Sequence, residues 1–118
     1  MSVIGWKLDR GEREDLLARF PPRYPEAVAD HVTLEKGDAS LPSGVTASIV
    51  GRADDGNGVE AMVVALDGST GRPDGSTFHI TWSLEPGRRA VESNAVIRDC
   101  GWSPFEEPVP VSVRPARF

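Results

Sequence analysis

The sequence predicts an α+β fold built on antiparallel strands, with one helix near the N-terminal end and a second, short helix towards the C-terminal end. Three observations lead there. A single amphipathic helical stretch is followed by several segments of period-2 alternation. Those segments are separated by turn-forming residues drawn from twelve glycines and ten prolines. The total length, 118 residues, suits one core and gives no composition shift that would divide it, so residues 1–118 are read as one domain.

Taken in order, VIGWKL (3–8) reads as a strand running into Asp9, a good helix N-cap with Glu12 three residues later in capping-box position. In GEREDLLARF, Leu16, Leu17 and Phe20 share one face and Glu12, Arg13, Glu14, Asp15 and Arg19 the other; Pro21 and Pro22 end the helix. AVADHVTLE (27–35) reads as one alternating strand with His31 and Thr33 on the same face. KGDASLPSG is a turn-rich loop, and VTASIVGRA (45–53), DDGNG (54–58) and VEAMVVAL (59–66) form a hairpin.

DGSTGRPDGS (67–76) is the most flexible-looking loop and carries Arg72. TFHITWSL (77–84) follows as a strand that turns Phe78, Ile80 and Trp82 to the core and His79, Thr81 and Ser83 the other way. Ser93 is placed to cap a brief helix over 94–98 that Gly101 closes. The tail VPVSVRPARF alternates as a strand whose prolines suit an edge.

The formal net charge of −5 argues against a broad basic field, so no long double-stranded nucleic acid is expected as partner. One cysteine, Cys100, excludes an internal disulfide and a cysteine-based zinc cluster and points to a reducing compartment. The start MSVIGWKLDRGE lacks a long apolar run and no stretch of membrane-spanning length follows, so a cytoplasmic location without membrane association is the expectation. The chain has neither a GxxxxGK[ST] phosphate loop nor a GxGxxG fingerprint, and His-x-His and His-x-x-x-His spacings are missing, so no cofactor and no metal are expected.

The two histidines, His31 and His79, are each followed two residues later by a threonine, Thr33 and Thr81. On a strand that spacing points an imidazole and a hydroxyl to the same side, about 6 to 7 Å apart. Two such strands side by side make a four-group cleft. One imidazole can act as general base and the other as general acid, while the hydroxyls hold phosphate oxygens. Phosphodiester hydrolysis without a metal fits those groups.

DHVTL, FHITWSL and the downstream VESN resemble the 2H phosphoesterase superfamily, in particular the branch containing the cyclic phosphodiesterase domains of fungal and plant tRNA ligases and small bacterial relatives. The likeness runs to about residue 98. It implies a two-lobed fold, trimmed here because the chain is short and its motifs lie close together. It also implies that a 2′,3′-cyclic phosphate of a nucleotide or RNA end is opened to a phosphomonoester, with His31 and His79 as the acid/base pair and Thr33 and Thr81 on the phosphate.

Arg72 and Lys36 are further candidates for substrate binding because both suit oxyanions and flank the motifs. Trp6, Tyr24, Trp82, Trp102 and Phe105 include candidate base-stacking rings, with Trp82 assigned to the core by parity. A non-catalytic module that binds cyclic nucleotides or RNA ends is the alternative reading.

Overall fold

The computed structural model describes residues 3–37 and 40–118. It is α+β, with two antiparallel sheets and two helices. β1 (Val3–Leu8), β3 (His31–Lys36) and β8 (Val113–Arg117) form the smaller sheet in the order β3-β1-β8. β2 (Glu26–Ala27), β4 (Ala47–Asp54), β5 (Val59–Leu66), β6 (His79–Leu84) and β7 (Ser103–Val111) form the larger, in the order β2-β6-β5-β4-β7. Helix α1 covers Arg10–Arg19 and α2 covers Glu92–Cys100.

Helix α1 begins as expected: Asp9 Oδ2 accepts from the Glu12 backbone N–H at 2.9 Å. The reciprocal half of a capping box is absent, because the Glu12 carboxylate accepts from the Ser112 N–H instead and ties the helix to the chain before β8. Leu16 is buried, and the helix stops at Phe20, whose carbonyl accepts from Trp82 Nε1 at 2.9 Å. Arg13, expected on the solvent face, reaches inward instead. Its guanidinium donates to the carbonyls of Ala29 (3.1 Å) and Val28 (3.1 Å) and, more weakly, Ala27 (3.5 Å).

Those carbonyls mark the main departure from the expected strands. Residues 27–35 are two strands in different sheets, not one. The segment pairs with β6 through Ala29, with Val28 N–H donating to Trp82 O (2.8 Å) and Ala29 N–H to Thr81 O (2.9 Å). Ala29 then adopts φ 42, uncommon for a residue with a Cβ, and at Asp30 the chain accepts from Leu8 N–H and joins β1 as β3. A local pattern cannot reveal this switch, since alternation reports a strand and not its partner.

Pairing of β1 with β3 is interrupted by a bulge at Ile4/Gly5, where Glu35 faces Ile4 and Thr33 faces Gly5. A Cβ at Gly5 would sit 2.0 Å from the Val32 carbonyl and 2.9 Å from the Leu34 nitrogen, so the backbones meet only because position 5 is glycine. The hairpin β4–β5 matches its expected limits within two residues. The tail forms two strands, and β7, whose start at Ser103 precedes the alternating segment, carries its prolines along the edge of the large sheet.

The main core joins both sheets and α1: Trp6, Leu8, Leu16, Val32, Ile49, Met62, Val64, Phe78, Ile80 and Trp82 are all buried in it. A second cluster, with Val59, Ala61, Val63 and Leu84, packs under Val96 and Ile97 of α2. That helix begins two residues earlier than the sequence suggests. Val91 is its N-cap without a side-chain bond, and Ser93 lies buried inside the first turn, so Ser93 is not the cap; Gly101 does close it. Among the described residues no helix is long and apolar enough to cross a membrane.

Two substitutions test this frame. Gly5→Ala is expected to destabilise the fold by about 3 kcal/mol or more, because backbone rather than a flexible side chain occupies the space. Arg13→Met, which keeps the length and removes the donors, is expected to cost about 2 to 3 kcal/mol in urea unfolding, whereas Glu14→Gln, which removes only an exposed partner of Arg13, changes stability by less than about 0.5 kcal/mol.

Candidate active site

The switch of sheets sets β3 beside β6 and gives both motifs one cleft. In each strand the residue between His and Thr faces the main core, Val32 in β3 and Ile80 in β6, both fully buried. The odd-numbered positions therefore turn out of the core together. His31, Thr33, His79 and Thr81 line a single cleft of about 330 Å³, and Lys36 and Arg72 line the same one. All six residues singled out in the sequence thus meet at one place. Val3, Val28, Ala90, Val91, Asn94 and Phe118 complete the lining.

The imidazoles are held differently. His31 Nδ1 is 2.9 Å from Asp30 Oδ2, and Arg10 contacts the same carboxylate at 3.1 Å. Burial opposes ionisation of Asp30, but the hydrogen bond and charge of His31, helped by Lys7 and Arg10, prevail and hold its carboxyl below the usual range. The ring of Phe118 lies tilted against the His31 ring with centroids 4.1 Å apart. Phe118 itself is fixed by two backbone bonds with Val3.

His79 Nδ1 lies 2.9 Å from the Thr77 carbonyl. A carbonyl only accepts, so Nδ1 carries the hydrogen and, in the neutral ring, Nε2 holds the lone pair. Desolvation by burial lowers the His79 pKa below the ordinary imidazole value; the Thr77 carbonyl opposes the shift, and the charges of Arg72 and His31 add to it. That His31 and Arg72 are felt at His79 is the electrostatic counterpart of their shared cleft.

The threonines also differ. Thr33 makes no side-chain hydrogen bond among the described residues, so its hydroxyl is free to donate. Thr81 is buried; its Oγ1 donates to the Ala90 carbonyl at 3.3 Å and lies 2.9 Å from Ser93 Oγ. With its one proton on Ala90, Thr81 accepts from Ser93, and it can donate to a ligand only by giving up the longer of these bonds.

Arg72 is pinned rather than free. Its Nε donates to the Leu34 carbonyl at 2.8 Å, linking the 67–76 loop to the bulged part of β3, and Asp74 lies 3.6 Å away. Its two terminal nitrogens make no hydrogen bond among the described residues. The loop expected to be the most flexible is tied down further by Phe78 N–H to Thr70 O and Arg72 N–H to Ser76 O. Lys36 lies at the exposed end of β3.

The candidate stacking rings do not reach this cleft. Trp6 and Trp82 are core, Tyr24 donates to Asp54 at 2.6 Å, Phe105 stacks on Phe20, and Trp102 packs on the second cluster. The aromatic residue that does line it, Phe118, escapes sequence reading because nothing local couples the tail to β3. The proximity of Ser93 to Thr81, twelve residues apart, is likewise not given by a local pattern, although VESN marks the segment. No family model, curated protein or solved structure matches the chain.

Proposed function

We propose that the protein is a metal-independent phosphodiesterase of the 2H type that opens 2′,3′-cyclic phosphates of nucleotides or RNA ends to phosphomonoesters. The observation that carries this reading is the convergence of both His-x-Thr pairs and Arg72 on one cleft of about 330 Å³. Few other tasks require two imidazoles and two hydroxyls facing one small volume.

The unequal settings of the imidazoles suggest a division of labour. His79, neutral with its lone pair on Nε2, removes a proton from water as that water attacks phosphorus. The bond from phosphorus to one ribose oxygen breaks, and that oxygen takes the proton from His31 Nε2. Asp30 orients the His31 ring through Nδ1 and faces the positive charge on it. Proton exchange with solvent then restores both rings. Thr33 and the terminal nitrogens of Arg72 donate to the non-bridging oxygens, whose charge grows in the transition state.

Incubation of the purified protein with nucleoside 2′,3′-cyclic phosphates in the presence of a chelator tests the reading, and product is followed by phosphorus NMR. Wild type is expected to release phosphomonoester, and His31→Ala or His79→Ala to lose about 10² to 10⁴ in kcat. Full turnover by either variant discards the assignment, and binding without product selects the non-catalytic module.

The pH dependence follows from the same assignment. His79 must be neutral, so kcat/KM falls as pH drops through its pKa; because burial lowers that value, the acid limb is expected below the ordinary imidazole value of about 6.5. An NMR titration in which His79 Cε1–H titrates above about 6.5 would overturn the choice of base.

A further inference from the structure

We infer that the cleft is built for a single nucleotide carrying the cyclic phosphate and not for the end of a longer RNA or a cyclic oligonucleotide. This rests on the phosphodiesterase reading and narrows its substrate. The geometry points there in three ways.

The first is size. About 330 Å³ lies near the lower end of the range, roughly 300 to 1,000 Å³, over which clefts enclose small ligands. A cyclic phosphate, a ribose and a base take up most of that volume, so a neighbouring nucleotide would lie outside the cleft.

The second is charge. Single-strand binders follow the backbone with a basic groove and successive aromatic rings. Here the lining among the described residues holds, besides the two histidines, two permanent cations, Arg72 and Lys36, and one phenyl ring, Phe118. Arg72 already faces Asp74, and the chain as a whole carries −5. One phosphate can be compensated by the cations of the lining; a second would find no further lysine or arginine there.

The third is the wall. Val91 is 53% exposed, one of two large hydrophobic residues left so open among the described residues, and it lines this cleft with Val28 and Ala90. An apolar rim over a polar floor matches a flat base joined to one anionic group.

The experiment compares kcat/KM for adenosine 2′,3′-cyclic phosphate and for an oligoribonucleotide ending in the same nucleotide and cyclic phosphate, at low and physiological ionic strength. The mononucleotide is expected to be favoured by about tenfold or more at low salt, and the oligomer to gain as salt screens its repulsion. A tenfold preference for the oligomer, with a rate that falls steeply as salt rises, would overturn the inference and leave the phosphodiesterase reading intact. Inertness towards both removes the phosphodiesterase reading and the inference with it.

A second variant locates the base. Val91→Glu sits at an exposed position where folding tolerates it, and it is expected to raise KM for the mononucleotide by about tenfold with kcat nearly unchanged. An unchanged KM would remove the wall from the site.

Discussion

The structure depends on one short run of backbone, residues 28–30, which belongs to both sheets. Val28 and Ala29 complete the ladder of β6, and Asp30 already accepts from Leu8 of β1. The turn between these roles places a buried alanine at φ 42, costing about 1 to 2 kcal/mol per residue by the usual steric penalty. Arg13 and Arg10 of α1 offset it: the first donates to the carbonyls of Ala29 and Val28, the second to that of Asp30 at 3.0 Å. A guanidinium suits this task because its donors fan out in a plane and can serve several carbonyls at once. Helix α1 is therefore a clamp on the junction as well as a cover for part of the core.

From that junction the cleft follows by parity. A strand has two faces, and once Val32 and Ile80 are committed to the core, the histidines and threonines on either side of them must point away from it. Bulges then limit how far this holds. The irregularity at Glu60/Ala61 changes the face presented beyond Thr81, so that Ser83, next in the alternation, leaves the cleft. Its hydroxyl instead donates to buried Glu60 at 2.6 Å, beside Arg52 at 3.2 Å. A carboxylate with no exposed surface persists only with such partners, and they come from the two strands that flank β5.

What the sequence made legible was local and periodic. The N-cap at Asp9, the stop after Phe20, the hairpin around DDGNG and the face of Phe78, Ile80 and Trp82 depend on residues within a few positions of each other. The four motif residues could be named because two matching strands imply two matching faces, and Arg72 and Lys36 because they flank the motifs and suit oxyanions. Division of 27–35 between sheets, the inward turn of Arg13, the docking of Ser93 on Thr81 and the seat of Phe118 against His31 involve partners beyond the reach of a local pattern, twelve residues apart for Ser93 and Thr81 and further for Arg13 and Phe118. Period-2 alternation carries no information on which strand lies alongside, and a serine before a helix looks like a cap whether or not its hydroxyl has a better partner.

The two motifs read alike in sequence and differ in every environment that decides chemistry. His31 has a carboxylate at Nδ1; His79 has a carbonyl there and a desolvated setting, which favours being neutral. Thr33 has a free hydroxyl on a bulged edge strand, whereas Thr81 sits on the floor of the cleft with its proton shared out to the start of α2. Those differences arise because β3 lies at the edge of its sheet and β6 lies between two strands with a helix above them. The proposed division between acid and base needs two different settings, and two copies of one His-x-Thr pattern can acquire them only by position. The asymmetry of the sheets supplies that difference with the same histidine and threonine in both strands.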